Sequence, residues 1–124
     1  MAEVPGINES LAIAWAAGIF EGEGCISIYS KHNQLIPTVR LVLRMTDEDV
    51  VRRFVKCING NPSNIKKITN KEYKPIYHWD TASRPEVVRI LVLFMPYFGI
   101  RRKEKASQVL SLPPQTKPRK IKYA

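Results

Sequence analysis

The segment 11–20 is the feature that most restricts how this chain can fold. It reads Leu-Ala-Ile-Ala-Trp-Ala-Ala-Gly-Ile-Phe and contains no charged or strongly polar side chain. A polar cap before it, together with Gly22 and Gly24 after it, predicts a helix over 11–21. A helix that is apolar on every side is buried on every side. In a chain of 124 residues, we expect one side to pack on the protein's own sheet and the other on a second copy of the chain.

Two pairs of predicted strands follow the pattern of half-buried hairpins. Over 25–31 and 38–45, apolar residues fall at every second position, so that one face is buried and the other is polar and cationic. A second hairpin, with a less certain register, is predicted over 64–69 and 74–81. Each pair is joined by a polar turn, as antiparallel neighbours require.

Three more helices complete the predicted order of elements. The run Thr46-Asp47-Glu48-Asp49 matches a helix-capping pattern and precedes apolar residues at helical spacing as far as residue 58. The segments 84–95 and 100–110 are also helical in pattern. The order is therefore α-β-β-α-β-β-α-α, with no helix between consecutive strands in the simple alternating manner. This order predicts an α+β fold with an antiparallel sheet.

Positive charge increases along the chain. Residues 1–60 contain six basic and seven acidic side chains, whereas residues 99–124 contain eight basic and one acidic, within a total net charge of +9. The basic residues are spread over predicted strands and a polar tail instead of along one amphipathic helix. This distribution favours a nucleic acid over a membrane as the partner. A basic surface that only aids solubility is the alternative.

The length fits one domain over 1–112, followed by a Pro- and Lys-rich tail over 113–124 that we expect to be flexible. No membrane-spanning stretch or export signal is present in the sequence. The two cysteines, Cys25 and Cys57, are expected to be reduced. We therefore expect an intracellular protein, in a bacterial or phage-host cytoplasm or in an organelle matrix.

Two carboxylates, Glu21 and Glu23, stand among glycines where the first helix meets the first strand. The nine residues from Ala16 to Gly24 resemble the signature of the LAGLIDADG homing endonucleases, in the same helix-to-strand context. Ala16 replaces the leading leucine of that signature, and glutamate replaces both of its acids. For a Glu-Gly-Glu-Gly run met without such a helix, a solvated surface turn is the more common explanation.

The resemblance implies the LAGLIDADG fold, an αββαββα unit with an antiparallel, saddle-shaped sheet, here with an added C-terminal helix. It also implies the activity of an intron-encoded homing endonuclease, which cuts both strands of a long pseudo-palindromic DNA site by metal-dependent hydrolysis. Because the motif occurs once, the chain is expected to work as a homodimer. A non-cleaving DNA-binding regulator and an RNA-binding intron maturase of the same fold are the alternatives.

The resemblance also assigns roles to single residues. Glu23 is expected to bind the catalytic Mg²⁺, for which Mn²⁺ substitutes, with the carbonyl of Gly22 as a second ligand. Arg102, with Arg101 as the alternative, is expected to act electrostatically near the scissile phosphate. Asp47 stands where the family has a residue that orders active-site water. It is predicted either to take part in catalysis or only to cap its helix.

Two sets of residues are expected at the interfaces of such a dimer. The polar face of the hairpins is predicted to contact DNA through Ser27, Tyr29, Lys31, Asn33, Thr38, Arg40, Arg44, Lys66, Lys67, His78 and Asp80. Arginine is the side chain best suited to guanine. The first helix is predicted to meet its copy through Ala14, Ala17, Gly18 and Glu21. The resemblance implies that Glu21 caps or bridges at the helix interface.

Overall fold

The computed structural model describes residues 7–30 and 35–113. Within them, helices and strands follow one another in the predicted order. Short 3-10 turns lie at Pro62–Asn64 and Met95–Tyr97. The helices are α1 (Ile7–Glu23), α2 (Glu48–Cys57), α3 (Arg84–Phe94) and α4 (Ile100–Leu110), and the strands are β1 (Gly24–Tyr29), β2 (Thr38–Met45), β3 (Ile65–Ile68) and β4 (Ile76–Thr81).

The strands form one antiparallel sheet in the order β1-β2-β4-β3. The two hairpins lie side by side, with β2 and β4 in the centre and β1 and β3 at the edges. The alternation predicted for the first hairpin is confirmed, because Leu41 and Leu43 are buried whereas Arg40 and Arg44 are exposed. The predicted α+β class is therefore confirmed.

The helices pack on one face of the sheet and enclose an aromatic core. Its rings lie 5.1 to 6.3 Å apart between centroids and meet mostly at tilted or edge-on angles, the arrangement that aromatic pairs prefer. The opposite face of the sheet is covered by no described element. The core rings are those of Phe20, Phe54, Trp79, Phe94 and Phe98.

The helix α1 is longer than the predicted 11–21, because Gly22 lies within it instead of ending it. Ala16, Ala17 and Phe20 are buried against the chain's own core. The opposite side of the helix is open, with Leu11 61% exposed and no described residue within 4 Å of where a side chain at Gly18 or Gly22 would begin. One side of the apolar helix is therefore buried within the chain, as predicted.

The other boundaries differ from the predicted ones by one or two residues. Helix α2 begins at Glu48 with Asp47 as its cap position, not with Thr46. The strands β3 and β4 are shorter than the predicted 64–69 and 74–81, because Thr69 to Pro75 form a longer turn. The predicted tail from residue 114 onward lies outside the described residues.

Arg84 joins three distant parts of the fold. Its guanidinium is buried and donates hydrogen bonds to the carbonyl oxygens of Pro37 and Pro113, at 2.9 and 3.0 Å. Pro37 precedes β2 and Pro113 follows α4, whereas Arg84 begins α3. The carbonyl dipoles thus stabilise the buried cation, and its Nε makes no hydrogen bond within the described residues.

Candidate active site and nucleic-acid interface

The helix α1 passes directly into β1, with Glu23 as the last helical residue and Gly24 as the first residue of the strand. Phe20, one turn earlier, lies beneath this junction and is fully buried. A side chain at Gly24 would overlap the ring of Phe20. Position 24 must therefore be glycine, because the backbone passes close to the Phe20 ring. This close approach sets the position of the neighbouring Glu23 relative to the core.

The two carboxylates of this segment point in different directions. Residues two apart in an α-helix are rotated by about 200° around its axis. Glu21 faces α4, where its Oε1 accepts a hydrogen bond from the backbone N–H of Gly99 at 2.5 Å and its Oε2 pairs with Nε of Arg102 at 3.2 Å. Glu23 is exposed. The helix geometry thus gives one carboxylate an internal partner and presents the other to solvent.

Glu21 caps a helix other than its own. At the C-terminus of α1, its negative charge faces the negative end of the helix dipole, which is unfavourable. Its oxygen reaches Gly99, the residue that precedes α4, where the positive end of the second dipole attracts it. Glu21 was predicted at the interface between two copies, whereas its described bonds lie within one chain.

Arg102 holds the same junction from the other side. Besides the carboxylate of Glu21, its guanidinium donates to the carbonyl oxygens of Glu21 and Gly24, at 3.3 and 2.5 Å, and it lies 5.3 Å from the ring centroid of Phe20. The bond to Glu21 satisfies a carbonyl group that a helix leaves without a partner at its C-terminus, and the bond to Gly24 holds the first residue of β1. The structure therefore places Arg102 at the candidate site, but its guanidinium group is already bonded to Glu21 and Gly24 of the same chain.

A cavity of about 590 Å³ opens between β1 and α4 beside this junction. Arg101 is exposed and lines it, whereas Arg102 is half-buried. Of the two arginines, Arg101 is the one whose guanidinium has no described bond to the helix end. Cys25, Glu104 and Lys105 also line the cavity.

Oxygen atoms at the end of α1 fit a hard cation. The carboxylate of Glu23 and the carbonyl of Gly22, the residue before it, belong to the class of donor that Mg²⁺ prefers. The negative end of the helix dipole adds to the attraction. Within the described residues, no group of three or more acidic, histidine or cysteine side chains is placed to hold a metal ion.

Asp47 and Glu23 lie at the same end of the sheet, because Glu23 precedes β1 and Asp47 follows β2. Gly24 pairs with Leu43 in the sheet, and β2 ends two residues later at Met45. Asp47 is exposed and occupies the cap position of α2, where its backbone oxygen accepts a hydrogen bond from Val51 at 3.2 Å. Its side chain makes no capping hydrogen bond. The predicted capping role of the carboxylate is therefore not observed.

The uncovered face of the sheet displays polar side chains in rows that follow from the register. One row joins Tyr29 to Thr38, and the next joins Ser27 to Arg40. Further along lies a row of Cys25, Val42 and Asp80, and then a row of Arg44, His78 and Lys66. We call these residues the outer face. They are Cys25, Ser27, Tyr29, Thr38, Arg40, Val42, Arg44, Lys66, His78 and Asp80.

Most of the residues predicted to contact DNA belong to the outer face. Lys67 does not, because it pairs with Tyr77 on the helix-covered side of the sheet. The pKa of Glu48, at the start of α2, is lowered first by a hydrogen bond from Arg52 and further by the charge of Lys67. Lys67 therefore lies near α2 and away from the outer face. Lys31 and Asn33 lie outside the described residues.

Ion pairs and hydrogen bonds connect β2 with β4 on the outer face. Nη2 of Arg40 lies 2.6 Å from Oδ2 of Asp80, and Nε of Arg44 donates to Nδ1 of His78 at 3.0 Å. Nε2 of His78 lies 3.8 Å from the same Asp80 oxygen. Burial, ahead of the charges of Arg44 and Arg40, holds the pKa of His78 below its ordinary value of 6.5, although Asp80 acts in the opposite direction.

The open side of α1 differs from the predicted set, because it lacks Ala17 and includes Leu11 and Gly22. Ala17 is fully buried in the chain's own core, whereas Gly18 is exposed and Ala14 is half-buried. Leu11 and Gly22 lie on the same side as Gly18, because residues 7 and 11 positions apart share a helix face. The sequence already contained this spacing, but ending the predicted helix at residue 21 left Gly22 out of it.

Comparisons with known proteins identify the fold. No family model matches the sequence, and no curated protein matches it. Solved structures match with probability 1.00, among them the homing endonuclease I-CvuI in complex with its target in the presence of Ca, with a TM-score of 0.66 and 19% identity over 85% of this chain and 67% of that one. The chain has the LAGLIDADG homing-endonuclease fold.

Other structures with this fold differ widely in sequence from the chain. The group I intron-encoded homing endonuclease I-CeuI, complexed with DNA, matches with a TM-score of 0.64 and 10% identity, over 82% of this chain and 53% of its own. The archaeal intron-encoded homing endonuclease I-Vdi141I, also complexed with DNA, matches at 0.53 and 12%, over 82% and 70%. The fold predicted from the Ala16–Gly24 signature is thus confirmed as a LAGLIDADG fold.

None of the helices described here has the length and apolar character needed to cross a membrane.

Proposed function

We propose that the chain is one half of a homodimeric, site-specific DNA endonuclease that hydrolyses both strands of a long pseudo-palindromic site with a divalent metal ion. The observation that carries the proposal is the contrast between Glu21, bonded within the chain, and Glu23, exposed where α1 meets β1. A carboxylate kept free at the end of a LAGLIDADG helix has no structural task in a single chain. Structures of I-CvuI and I-CeuI with DNA support this proposal.

Glu23 and the carbonyl of Gly22 would hold the metal ion. Two oxygen ligands from a protein are typical of Mg²⁺, which keeps water and substrate phosphate for the rest of its shell. When bound, the ion stabilises negative charge on the attacking and leaving oxygens of the phosphodiester. One chain supplies one such carboxylate at the helix end, so both DNA strands are cut only if two copies contribute.

The open side of α1 would bring the second copy close. Glycine inside a helix is less stable than alanine by about 0.5–1 kcal/mol, yet Gly18 and Gly22 stand where no described residue prevents a side chain. Close approach of another helix gives both glycines a purpose. Packing around a two-fold axis would set the two Glu23 carboxylates side by side.

The outer face would lie in the major groove of DNA. A two-stranded ribbon fits that groove, and the face offers arginine, lysine and hydroxyl groups in ordered rows. Arg40 and Arg44 are the side chains suited to guanine, whereas Lys66 would contact phosphate or base. Lys31 and Asn33, which lie outside the described residues, stay proposed DNA contacts.

Arg101 and Asp47 complete the proposed active site. Arg102 is occupied by the end of α1, so the exposed Arg101 is better placed to approach a phosphate. Asp47, whose carboxylate makes no capping bond, would order water or share in metal binding. Arg102 would then act by holding Glu21 and the helix end in place.

The test is sequencing of the DNA ends that the protein produces from a randomised target library in Mg²⁺. We expect recurrent paired breaks within a two-fold-related sequence. Glu23→Gln removes the metal-binding charge and should reduce cleavage at least about a thousandfold, equivalent to several kcal/mol of transition-state stabilisation. Its binding of the same DNA in Ca²⁺ should persist. Glu104→Gln, which neutralises an exposed carboxylate of the neighbouring cavity, is the matched control and should cleave normally.

Three other results would contradict the proposal in different ways. Cleavage by Glu23→Gln at the wild-type rate would exclude Glu23 as the metal ligand. Retention of specific DNA without breaks would favour the regulator. Selective retention of structured RNA instead of duplex DNA would favour the maturase.

A further inference from the structure

We propose that His78 and Asp80 on β4 are positioning residues for the two base-reading arginines of β2, with His78 holding Arg44 and Asp80 holding Arg40 for contact with guanine. The inference rests on the proposed DNA-binding function and adds to it an arrangement for specificity. Both residues were predicted to contact DNA themselves. The structure gives them arginine partners instead.

The two arginines are more exposed to solvent than their partners on β4. The side chain of Arg40 is 45% exposed, and Arg44 is also exposed. The side chains of His78 and Asp80 are 16% and 17% exposed. A double helix lying on the sheet would therefore meet the guanidinium groups first. His78 and Asp80 lie in the second layer and act through the arginines.

The bond between Arg44 and His78 uses Nε of the guanidinium group, which end-on recognition of guanine does not need. The two residues are directly opposite in the β2–β4 register, and Arg44 donates through Nε. End-on recognition of guanine uses the two terminal nitrogens, which donate to O6 and N7 of the base. His78 thus fixes the side of the guanidinium fork that faces away from the groove.

Asp80 holds Arg40 across a diagonal of the sheet. In the register, Asp80 faces Val42, two residues from Arg40. Its carboxylate reaches one terminal nitrogen of the arginine at 2.6 Å. An arginine held before binding loses less side-chain entropy when it meets a base, so the same contact discriminates bases more strongly.

The role of His78 requires its neutral form. Arg44 Nε–H is a permanent donor, so Nδ1 must offer a lone pair, and the proton of a neutral ring is then on Nε2 beside Asp80. The charged groups that face the ring are Arg40 and Arg44 on β2, Asp80 on β4 and Lys66 on β3. Burial, together with the charges of Arg44 and Arg40, outweighs the opposing effect of Asp80, so the pKa of His78 is lowered and the neutral ring is favoured. A second proton would remove the acceptor and place a cation beside Arg44.

This arrangement predicts that acid weakens the guanine preference while it strengthens general attraction to DNA. The added charge on His78 attracts phosphate regardless of sequence, whereas release of Arg44 lowers selectivity. A residue that merely contacts DNA would change affinity and selectivity in the same direction. The opposite signs distinguish a positioning histidine from an ordinary basic contact.

The experiment is selection of DNA ligands from a randomised duplex library at pH 7.5 and pH 5.5, in Ca²⁺. Arg44→Gln identifies the base pair that Arg44 reads, because its guanine preference disappears at both pH values. Wild-type protein should prefer guanine there by about tenfold at pH 7.5 and by several-fold less at pH 5.5. His78→Gln should keep the preference at both pH values, since an amide oxygen accepts from Nε and does not titrate. His78→Leu should lose it.

Two comparisons complete the design. Lys56→Gln, the matched control, removes an exposed positive charge on α2, on the helix-covered side of the sheet, and should leave the guanine preference at pH 7.5 unchanged. Asp80→Asn should weaken preference at a second position, identified in the same way by Arg40→Gln. If His78→Leu retains the preference at the Arg44 position, or if the wild-type preference persists at a pH at which imidazole NMR shows His78 to be protonated, His78 is not a positioning residue. If the wild-type protein enriches no sequence, the proposed function fails and the inference fails with it.

A measurement on the free protein tests the geometry without DNA. Nitrogen NMR of the imidazole should find the Nε2–H tautomer for His78 at pH 7.5, with the Arg44 Nε–H protected from exchange, and both signatures should disappear together on acidification. The Nδ1–H tautomer would contradict the proposal. Because this spectrum is recorded on the wild-type protein, it tests the role of His78 even if His78→Leu fails to fold.

Discussion

The outer face of the sheet and the end of α1 differ in how much of their chemistry lies within one chain. On the outer face, Arg40 and Arg44 already have partners on the neighbouring strand. At the end of α1, Glu21 is bonded within the chain, whereas Glu23 has no metal-binding neighbours among the described residues. The proposed recognition surface is thus arranged by the fold of one chain, whereas the proposed function requires a second chain and a metal ion for Glu23 to act.

This difference implies that binding and cleavage can be separated by mutation. A change on the outer face should alter which DNA is bound without altering the chemistry. A change at the helix end or on its open side should remove cleavage and leave each recognition surface intact. We expect the largest effects on the open side of α1 and the smallest from the titration of His78.

Gly18→Leu should disrupt the dimer while leaving the folded chain intact. Overpacking a close contact destabilises it by about 1–3 kcal/mol, and a two-fold axis repeats the change. We therefore expect the dimer dissociation constant to rise at least about 30-fold and double-strand cleavage to fall with it. Analytical ultracentrifugation measures the association. Ser107→Leu adds the same side chain at an exposed position of α4 and should leave the dimer unchanged; equal weakening by both variants would argue against the proposed interface.

Gly24→Ala should destabilise the junction that presents Glu23. The new methyl group overlaps the ring of Phe20, and we expect the free energy of unfolding to fall by about 1–3 kcal/mol. Urea denaturation measures the loss. Phe20→Leu replaces the ring with a smaller side chain and should relieve part of the overlap. The double variant Gly24→Ala/Phe20→Leu should therefore be more stable than the sum of the two single effects predicts. Strict additivity would show that the overlap is not the cause.

Arg102→Ala and Arg101→Ala should separate structural from catalytic charge. Arg102 is bonded to Glu21 and to the helix-end carbonyls, so its loss should lower the free energy of unfolding by about 1 kcal/mol, after allowance for partial exposure. Arg101→Ala should leave stability unchanged and slow cleavage in single-turnover assays. Equal destabilisation by the two variants would contradict this division.

The smallest effect concerns the dependence of stability on pH. The pKa of His78 in the folded chain lies below its ordinary value of 6.5, so the unfolded chain takes up the proton first as the pH falls. Its contribution to stability is therefore complete above pH 6.5 and declines as the pH falls toward the folded pKa. Urea midpoints of the wild type should drop between pH 7.5 and 5.5 by more than those of His78→Gln. A steeper drop of the urea midpoint in His78→Gln than in the wild type would contradict a lowered pKa of His78 in the folded chain.

The sequence predicted the elements of the fold better than it predicted their contacts. Alternation of apolar residues is local, so the faces of β1 and β2 were correctly predicted from neighbouring residues. The partners of Glu21 lie 78 and 81 residues away in the chain, and His78 lies 34 residues from Arg44. Such pairs depend on the order of strands and on helix docking, which no short pattern contains. The partners of Glu21 and Arg102 therefore became visible only in the fold.

Register explains why Lys66 and Lys67 could not be distinguished in advance. The two lysines are adjacent, and a shift of one residue in β3 would exchange their faces. Only the pairing of β3 with β4 assigns Lys66 to the outer face. The length of α1 was underestimated because of Gly22. A glycine on an open helix face cannot be distinguished in the sequence from a glycine that ends a helix.

The buried guanidinium of Arg84 has a consequence for how the molecule opens. By bonding to Pro37 and Pro113, it links the start of β2 and the residues after α4 to the start of α3. Neither segment can move away without leaving a buried cation short of a partner, which is unfavourable in a nonpolar interior. The amide protons of these segments should therefore exchange with solvent as one cooperative unit rather than by separate fraying. That unit includes the start of β2, the strand that carries Arg40 and Arg44 of the outer face, so opening of this strand and opening of the segment after α4 should occur together.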